Sequence, residues 1–278
     1  MAGDLRAELL QLVPDERRVS ASESVLDQHS QDLTYHPHVA PEVVVFPEST
    51  AEVAAVVRHA AERGIAVTPF GAGTSLEGQV IPLRGGISLD LTRLDGIVDV
   101  SPADLTATVQ AGVTRLQLER AAGAHGLWFP VDPGADSTLG GMAATNAAGT
   151  TTLRYGKMRA NTLAIEAVLG DGRIIRTGSR ALKTSAGYDL TGLVVGNEGT
   201  FGVATRVIVN LTRDPEAGRT FLGVFESVEA ATQTVSDLIA AGIVPAALEM
   251  LDTLMIQAVE EAFHFGFPLD AGAVSERF

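Results

Sequence analysis

From Pro41 onward the apolar positions fall into short runs alternating with helical stripes. Glu42 to Phe46 is an apolar run closed by Pro47, the pattern of a buried strand. Ser49 and Glu52 have capping-box spacing. Val53, Val56, Val57 and Ala60 then recur at helical intervals until Gly64, which suits the position just past a helix end, so a helix of about three turns is predicted. Ile65 to Thr68 supplies another strand, and the strand, helix, strand order predicts a parallel pair. After Ile87 the texture changes. ISLDL, GIVDV and LTATVQAG read as half-buried antiparallel strands, the last alternating Leu105, Ala107 and Val109 with Thr106, Thr108 and Gln110. Thr114 and Gln117 repeat the cap spacing before one more helix. Asp171-Gly172 between two apolar runs predicts a hairpin. In FGVATRVIVNLT, Val203, Thr205, Val207, Val209 and Leu211 line one face of a long strand.

The pattern restarts after Asp214-Pro215. FLGVF reads as a strand, a helix runs from Ser227 as cap to Gly242 as stop, and EMLDTLMIQAVEEAF reads as helical. One strand and two helices cannot close a sheet, so the chain is expected to be cut short, as a fragment or a natural truncation. Three segments follow: an N-terminal helical and loop extension over 1–40, a main domain over 41–214, and an incomplete second domain over 215–278.

Composition narrows the classes. The 278 residues are 46% hydrophobic and 19% charged, enough to bury a core and too apolar for a disordered chain. Zero cysteines remove disulfides, thiolate nucleophiles, iron–sulfur clusters and cysteine-ligated zinc. A net charge of -14 argues against wholesale nucleic-acid or anionic-membrane binding. The N-terminus lacks the apolar core of a signal peptide, and Pro245, Glu249 and Asp252 interrupt the apolar stretch from Ile239 to Ile256, so a cytoplasmic protein with no transmembrane segment is expected.

Three glycine-rich segments are the candidates for chemistry: Gly71 to Gly78, Gly134 to Gly149, and Gly196 to Gly202. Glycine alone marks turns. Combined with Ser, Thr and Asn it also offers backbone N–H groups and hydroxyls to phosphate oxygens. In GAGTSLEG, Leu76 replaces the third glycine of a Rossmann fingerprint and no Lys follows Gly78, so neither that motif nor a P-loop is present. The second segment packs Gly140, Gly141, Ala143, Ala144, Ala147, Ala148 and Gly149 after a possible cap at Ser137, which would let a large flat ligand approach the backbone.

The order PFGAGTSLEG, DPGADSTLGGMAATNAAG, RYGKM, VLGDGRIIRTG and TSAGYDLTGLVVGNEGTFGVATRVIVNL resembles the FAD-binding domain of the vanillyl-alcohol oxidase/p-cresol methylhydroxylase superfamily, nearest its branch of D-lactate dehydrogenases and glycolate oxidases. The resemblance covers about Pro41 to Asp214. It implies an α+β chain: a PCMH-type two-subdomain FAD-binding fold followed by the start of an α+β substrate (cap) domain. It also implies that Pro69, Phe70, Gly71, Ala72, Gly73, Thr74 and Ser75 wrap the FAD pyrophosphate. Asp136, Ser137, Gly140, Gly141, Thr145, Asn146 and Gly149 would run beside the pyrophosphate, ribitol and isoalloxazine. Gly199, Gly202 and Val203 would hold the adenine side. The Asp171-Gly172 hairpin and Trp128 are taken as structural.

Some members of the superfamily attach FAD through His or Cys. This chain has no Cys and its first loop no His, so non-covalent FAD is expected. His29, His36 and His38 precede the main domain, and His36 and His38, flanking Pro37, read as a solvated loop rather than a metal site. In the branch, hydride passes from the carbinol carbon of a D-2-hydroxy acid to the flavin. The substrate cation, the base and a His-rich metal segment come mainly from a C-terminal domain, so no residue of this chain is assigned a catalytic role. Arg154, Lys157 and Arg159 are the basic cluster near a flavin segment, equally readable as a solvated loop. Two readings stand: an FAD oxidoreductase of D-lactate or glycolate type passing electrons to a cytochrome, quinone or electron-transfer flavoprotein, and an isolated FAD-binding module without independent turnover. A cell-wall reductase using NADPH on a UDP-sugar shares the fold, and GYDLTGLVVGNEGT points away from it.

Overall fold

In a computed structural model of the chain, residues 2–269 and 273–277 are described. They form two compact units. The first comprises 2–129, 133–147 and 157–213, and the second 130–132, 148–156, 214–269 and 273–277.

The first unit carries two sheets. Helix α1 (Ala2–Leu12), strand β1 (Val19–Ser20) and helix α2 (Glu23–Gln28) lead into β2 (Val43–Val45), α3 (Thr50–Arg63), β3 (Val67–Phe70) and β4 (Ile87–Asp90). The sheet order is β1-β2-β4-β3. The expected parallel strands are present, but β4 lies between them and is parallel to both, whereas ISLDL was expected in an antiparallel sheet. Both faces of β4 are buried, including Ser88, so its alternation carries no solvent face to read.

Helix α3 begins where its spacing predicts. The Ser49 hydroxyl accepts the Glu52 N–H at 3.2 Å, and Gly64 ends the helix at φ +66°. The reciprocal half of the capping box is absent. Glu52 instead accepts the Glu48 N–H at 2.7 Å and pairs with the Arg18 guanidinium through bonds of 2.8 and 3.0 Å. The extension also proves part of the body of this unit: Leu5, Leu9 and Val13 join Val43, Val45, Val53, Val57, Ile87 and Leu89 in one core.

The second sheet contains β5 (Ile97–Ser101), β6 (Thr106–Gln110), β8 (Thr162–Val168), β9 (Ile174–Gly178) and β10 (Val203–Asn210) in the antiparallel order β5-β6-β10-β8-β9. Between them lie α4 (Arg115–Gly123), β7 (Leu127–Trp128), which pairs with β11 (Thr212–Arg213), and α5 (Leu139–Thr145). Thr114 and Gln117 form the complete capping box of α4. The hairpin falls at Asp171-Gly172, with Gly172 at φ +81°. Along β10 the burial alternates as its pattern predicts. On β6 it does not: Thr106 and Thr108 are buried along with Ala107 and Val109, because both faces of this inner strand are covered. Thr50 on α3 donates to Glu166 Oε1 at 2.9 Å and lies 3.0 Å from Thr205 Oγ1, and Val168 and Val203 enter the core of the first sheet.

Helix α7 (Met158–Asn161) precedes β8, and α8 (Leu190–Val194) follows β9. The second unit holds the short α6 (Thr152–Tyr155), β12 (Phe221–Phe225), α9 (Val228–Ala240), β13 (Glu249–Asp252), α10 (Thr253–Phe263) and β14 (Ala273–Arg277), with sheet order β12-β14-β13. Glu249 to Asp252 was expected to be helical. It forms a strand because Met250 and Leu251 pair with β14, and Asp252 caps α10 by accepting the Met255 N–H at 2.8 Å. The unit thus has three described strands rather than the one expected. Ile256 is its buried centre, packed by Leu251 and Phe267, while Phe263 and Phe265 are exposed.

Candidate functional site

The site lies in the first unit, where three glycine-rich segments meet. β3 delivers the chain to Phe70, and the loop beginning at Gly71 turns across the N-terminal end of α5. A Cβ on Gly71 would lie 2.5 Å from Thr138 Oγ1, so the approach requires glycine here. The Thr74 and Ser137 hydroxyls meet at 2.8 Å and tie the first segment to the second.

Helix α5 is fixed against the second sheet by its own backbone. Leu139 N–H donates to Val113 O and Gly140 N–H to Ala111 O, both at 2.8 Å. A side chain at Gly140 would meet Ala111 Cβ at 2.5 Å. At Gly141 the neighbouring atom is Thr138 Oγ1 at 2.9 Å, and the rest of the direction is open. The cap of this helix is Thr138, which accepts the Gly141 N–H at 3.3 Å, and not Ser137 as the sequence suggested.

The third segment locks onto the same helix. Gly196 N–H donates to Ala143 O at 2.9 Å and Glu198 N–H to Ala144 O at 3.0 Å. Gly199, at φ +82°, would carry a Cβ 3.3 Å from the Pro69 ring, closing the circuit back to the first segment. Gly202 lies at φ +152° with the Val168 carbonyl where its side chain would be.

The result is a groove with about 1010 Å³ of free space, counting the part open to solvent. Pro69 through Ser75, Ser137, Gly140, Gly141, Thr145, Gly199, Gly202 and Val203 all line it. A second hollow, about 580 Å³ counting the part open to solvent, adjoins it and shares Pro69, Gly199, Gly202 and Val203. Among the described residues Glu198 is the one charged side chain in the lining, so an anionic ligand would be held by backbone N–H groups and hydroxyls rather than by cations. A mostly apolar groove lined by glycine, alanine and several hydroxyls suits a flat dinucleotide such as FAD.

Three of the expected contact residues lie outside the lining of the groove. Asp136 accepts the Leu116 N–H at 3.0 Å. Asn146 ends α5 in the left-handed conformation at φ +51°, and its Oδ1 accepts the Arg159 N–H at 3.0 Å. Gly149 belongs to the second unit, where a Cβ would meet Asp132 at 2.2 Å. The basic cluster is likewise engaged: Arg159 donates to Val195 O at 2.8 Å, and Arg154 lies over the Tyr155 ring at 5.6 Å. Sequence reasoning missed Gln79, Thr138, Met142 and Glu198 in the lining. Gln79 could have been found as the polar residue leaving the glycine loop, and its Nε2 donates to Ser75 Oγ at 2.7 Å.

His29 was read as lying ahead of the domain, yet it is buried, with its ring 4.4 Å from that of Phe70. Among the described residues no group of His, Asp and Glu side chains could hold a metal ion, and no helix is long and apolar enough to cross a membrane.

Comparison with known proteins agrees with this geometry. Residues 41–178 match the family model described as FAD binding domain, and 214–275 that of the C-terminal domain of FAD linked oxidases. A probable mitochondrial D-lactate dehydrogenase of Danio rerio is 43% identical over 249 residues, 88% of this chain and 50% of that protein. The glycolate oxidase subunit GlcD of Bacillus subtilis (strain 168) is 41% identical over 248 residues, 88% of this chain and 53% of the relative. The chain thus spans about half the length of the curated relatives it matches. Among solved structures, an alkyldihydroxyacetonephosphate synthase shares the fold with TM-score 0.83 over 98% of this chain and 55% of that one, at 20% identity. With two of the groove's three glycine segments inside the first match, and the second match following in the same chain, the chain belongs to the family of FAD-linked oxidases.

Proposed function

We propose that this chain binds FAD non-covalently in the groove and forms the flavin-holding part of an oxidoreductase of D-2-hydroxy acids, of the D-lactate or glycolate type. The observation that carries this reading is the convergence of three glycine-rich segments on one groove, in a chain 43% and 41% identical to a D-lactate dehydrogenase and a glycolate oxidase subunit. FAD, when bound, supplies the acceptor for a hydride from the carbinol carbon of the substrate.

The chain's own residues bind and orient. The first loop, Pro69 to Ser75, offers backbone N–H groups and the Thr74 and Ser75 hydroxyls to the pyrophosphate. Gly140 and Gly141 leave the floor of the groove open, and the Thr145 hydroxyl, which donates to Gly141 O at 3.1 Å, lines it. Gly199, Gly202 and Val203, shared with the second hollow, take the adenine end. Asp136, Ser137, Asn146 and Gly149 complete the expected set: Ser137 as a lining hydroxyl, the other three as supports of the local backbone. Electrons then leave to an acceptor such as a cytochrome, quinone or electron-transfer flavoprotein, consistent with the relative named as a cytochrome D-lactate dehydrogenase from Arabidopsis thaliana.

A second reading is favoured by length. The chain spans about half the length of the relatives it matches, and in this reading its residues hold FAD while turnover also needs groups from outside these 278 residues. One experiment separates the two: anaerobic addition of D-lactate or glycolate to the FAD-loaded chain while the visible spectrum is followed. Bleaching of the flavin bands establishes turnover by this chain. Persistent bands leave the binding module, and a chain that takes up no FAD defeats both.

A further inference from the structure

The segment between α2 and β2 closes on itself, with the Val39 N–H donating to Ser30 O at 3.0 Å, and reaches the glycine loop from outside the groove. Asp32 Oδ1 accepts the Thr34 N–H at 2.9 Å and the Thr34 hydroxyl at 2.5 Å, which orients the carboxylate. Its other oxygen, Oδ2, accepts the Gly78 N–H at 2.8 Å. Burial opposes the charge, but the bonds from Thr34 and Gly78 outweigh it and hold the carboxyl below the usual range, so it is an anion at neutral pH. The His36 ring sits against the same glycine. Gly78 has φ +75°, and a Cβ there would be 2.9 Å from His36 Cδ2.

Gly78 is followed by Gln79 and Val80, both of which line the groove. Gln79 Nε2 in turn donates to Ser75 Oγ at 2.7 Å. A line of contacts therefore runs from Asp32 to Gly78, along the chain to Gln79, and across to Ser75 in the loop that faces the ligand.

We infer that Asp32, braced by Thr34 and His36, is a positioning residue for the FAD site, acting through Gly78 and Gln79 on the loop from Pro69 to Ser75. This rests on the reading that the groove binds FAD. It assigns a role to a segment outside the 41–178 match to the FAD binding domain. A flexible glycine loop must lose backbone freedom when it closes on a ligand, and a charged hydrogen bond at its far end removes part of that freedom in advance.

The test is FAD titration of the full chain and its Asp32→Ala, Asp32→Asn and His36→Ala variants, followed by quenching of flavin fluorescence, with the thermal melt of each FAD-free chain alongside. Asp32→Ala is expected to raise the FAD Kd by about tenfold with little change in the FAD-free melt. Asp32→Asn keeps an oxygen for the Gly78 N–H and should recover most of the affinity, and His36→Ala should give a smaller loss. Unchanged affinity in Asp32→Ala overturns the inference. So does a fall in the FAD-free melt that Asp32→Asn fails to rescue, which would mark a purely structural role. Should Asp32→Ala fail to fold, an unchanged Kd in the folded His36→Ala chain overturns it as well. A parent chain that binds no FAD removes the flavin reading and this inference together, whereas a parent that binds normally beside an equally competent Asp32→Ala removes this inference alone.

Discussion

His29 Nε2 lies 2.9 Å from Asp90 Oδ2, and both side chains are buried. The other ring nitrogen is 2.8 Å from Val25 O, so the ring is held at both of its nitrogens. Asp90 Oδ1 accepts the Thr92 N–H at 2.8 Å, which leaves the pair fully bonded. It fastens the end of α2 to the end of β4, beside Phe70 at the start of the glycine loop. Removing either partner strands a buried polar group. His29→Ala and Asp90→Asn are each expected to lower the unfolding free energy by about 3 kcal/mol, and the double variant by clearly less than the sum. A urea double-mutant cycle measures this, and additive losses would contradict it.

Adjacent glycines on α5 should behave differently. Gly140 faces Ala111, with 2.5 Å available to a Cβ, so Gly140→Val is expected to destabilise the whole unit by several kcal/mol, on the order of 3. Gly141 meets the Thr138 hydroxyl and otherwise open groove, so Gly141→Val is expected to fold, with a native far-ultraviolet spectrum, and to bind no FAD. Flavin stoichiometry and a thermal melt on both variants check the contrast.

The first unit should weaken in acid through Glu166. Burial works against its charge. The Arg176 bond at 2.7 Å, the Thr50 bond at 2.9 Å and nearby Arg206 overcome that and hold its carboxyl below the ordinary value of 4.5. A carboxylate depressed in the folded state adds stability that is complete above its unfolded value and is lost as pH falls through the folded one. Unfolding free energy should therefore be flat in this contribution above about pH 5 and decline below about 4.5. Glu166→Gln should cost about 2 kcal/mol at pH 7 and flatten part of the acid limb, as read from urea unfolding at a series of pH values.

The flavin should be separable from the protein. With no cysteine in the chain and no histidine in Gly71 to Gly78, acid precipitation of the FAD-loaded chain is expected to leave all flavin in the supernatant. Yellow precipitate after washing would contradict the non-covalent reading.

Much of the first unit was legible because its signals are local. Ser49, Gly64, Thr114, Gln117 and the Asp171-Gly172 hairpin act within a few residues of themselves. Strand partners are not local. Nothing in ISLDL distinguishes a parallel neighbour of β2 and β3 from an antiparallel strand, since all of β4 is buried. Glu249 to Asp252 becomes a strand through β14, more than twenty residues on. The groove followed the same division. Its glycine segments were visible in sequence, whereas the partners of Asp136 and Asn146, the Leu116 and Arg159 N–H groups, are brought near only by the folded chain. His29 and Asp32 were hidden for the same reason: their partners, Asp90 and Gly78, lie far along the chain.

Whether the groove lined by Pro69 through Val203 holds FAD is read by an FAD titration of the purified, flavin-free chain beside Gly141→Val. Saturable binding of about one FAD per chain is expected, with flavin fluorescence changing to an end point, and no binding by the folded variant. Equal binding by the two chains, or none by the parent, would contradict it.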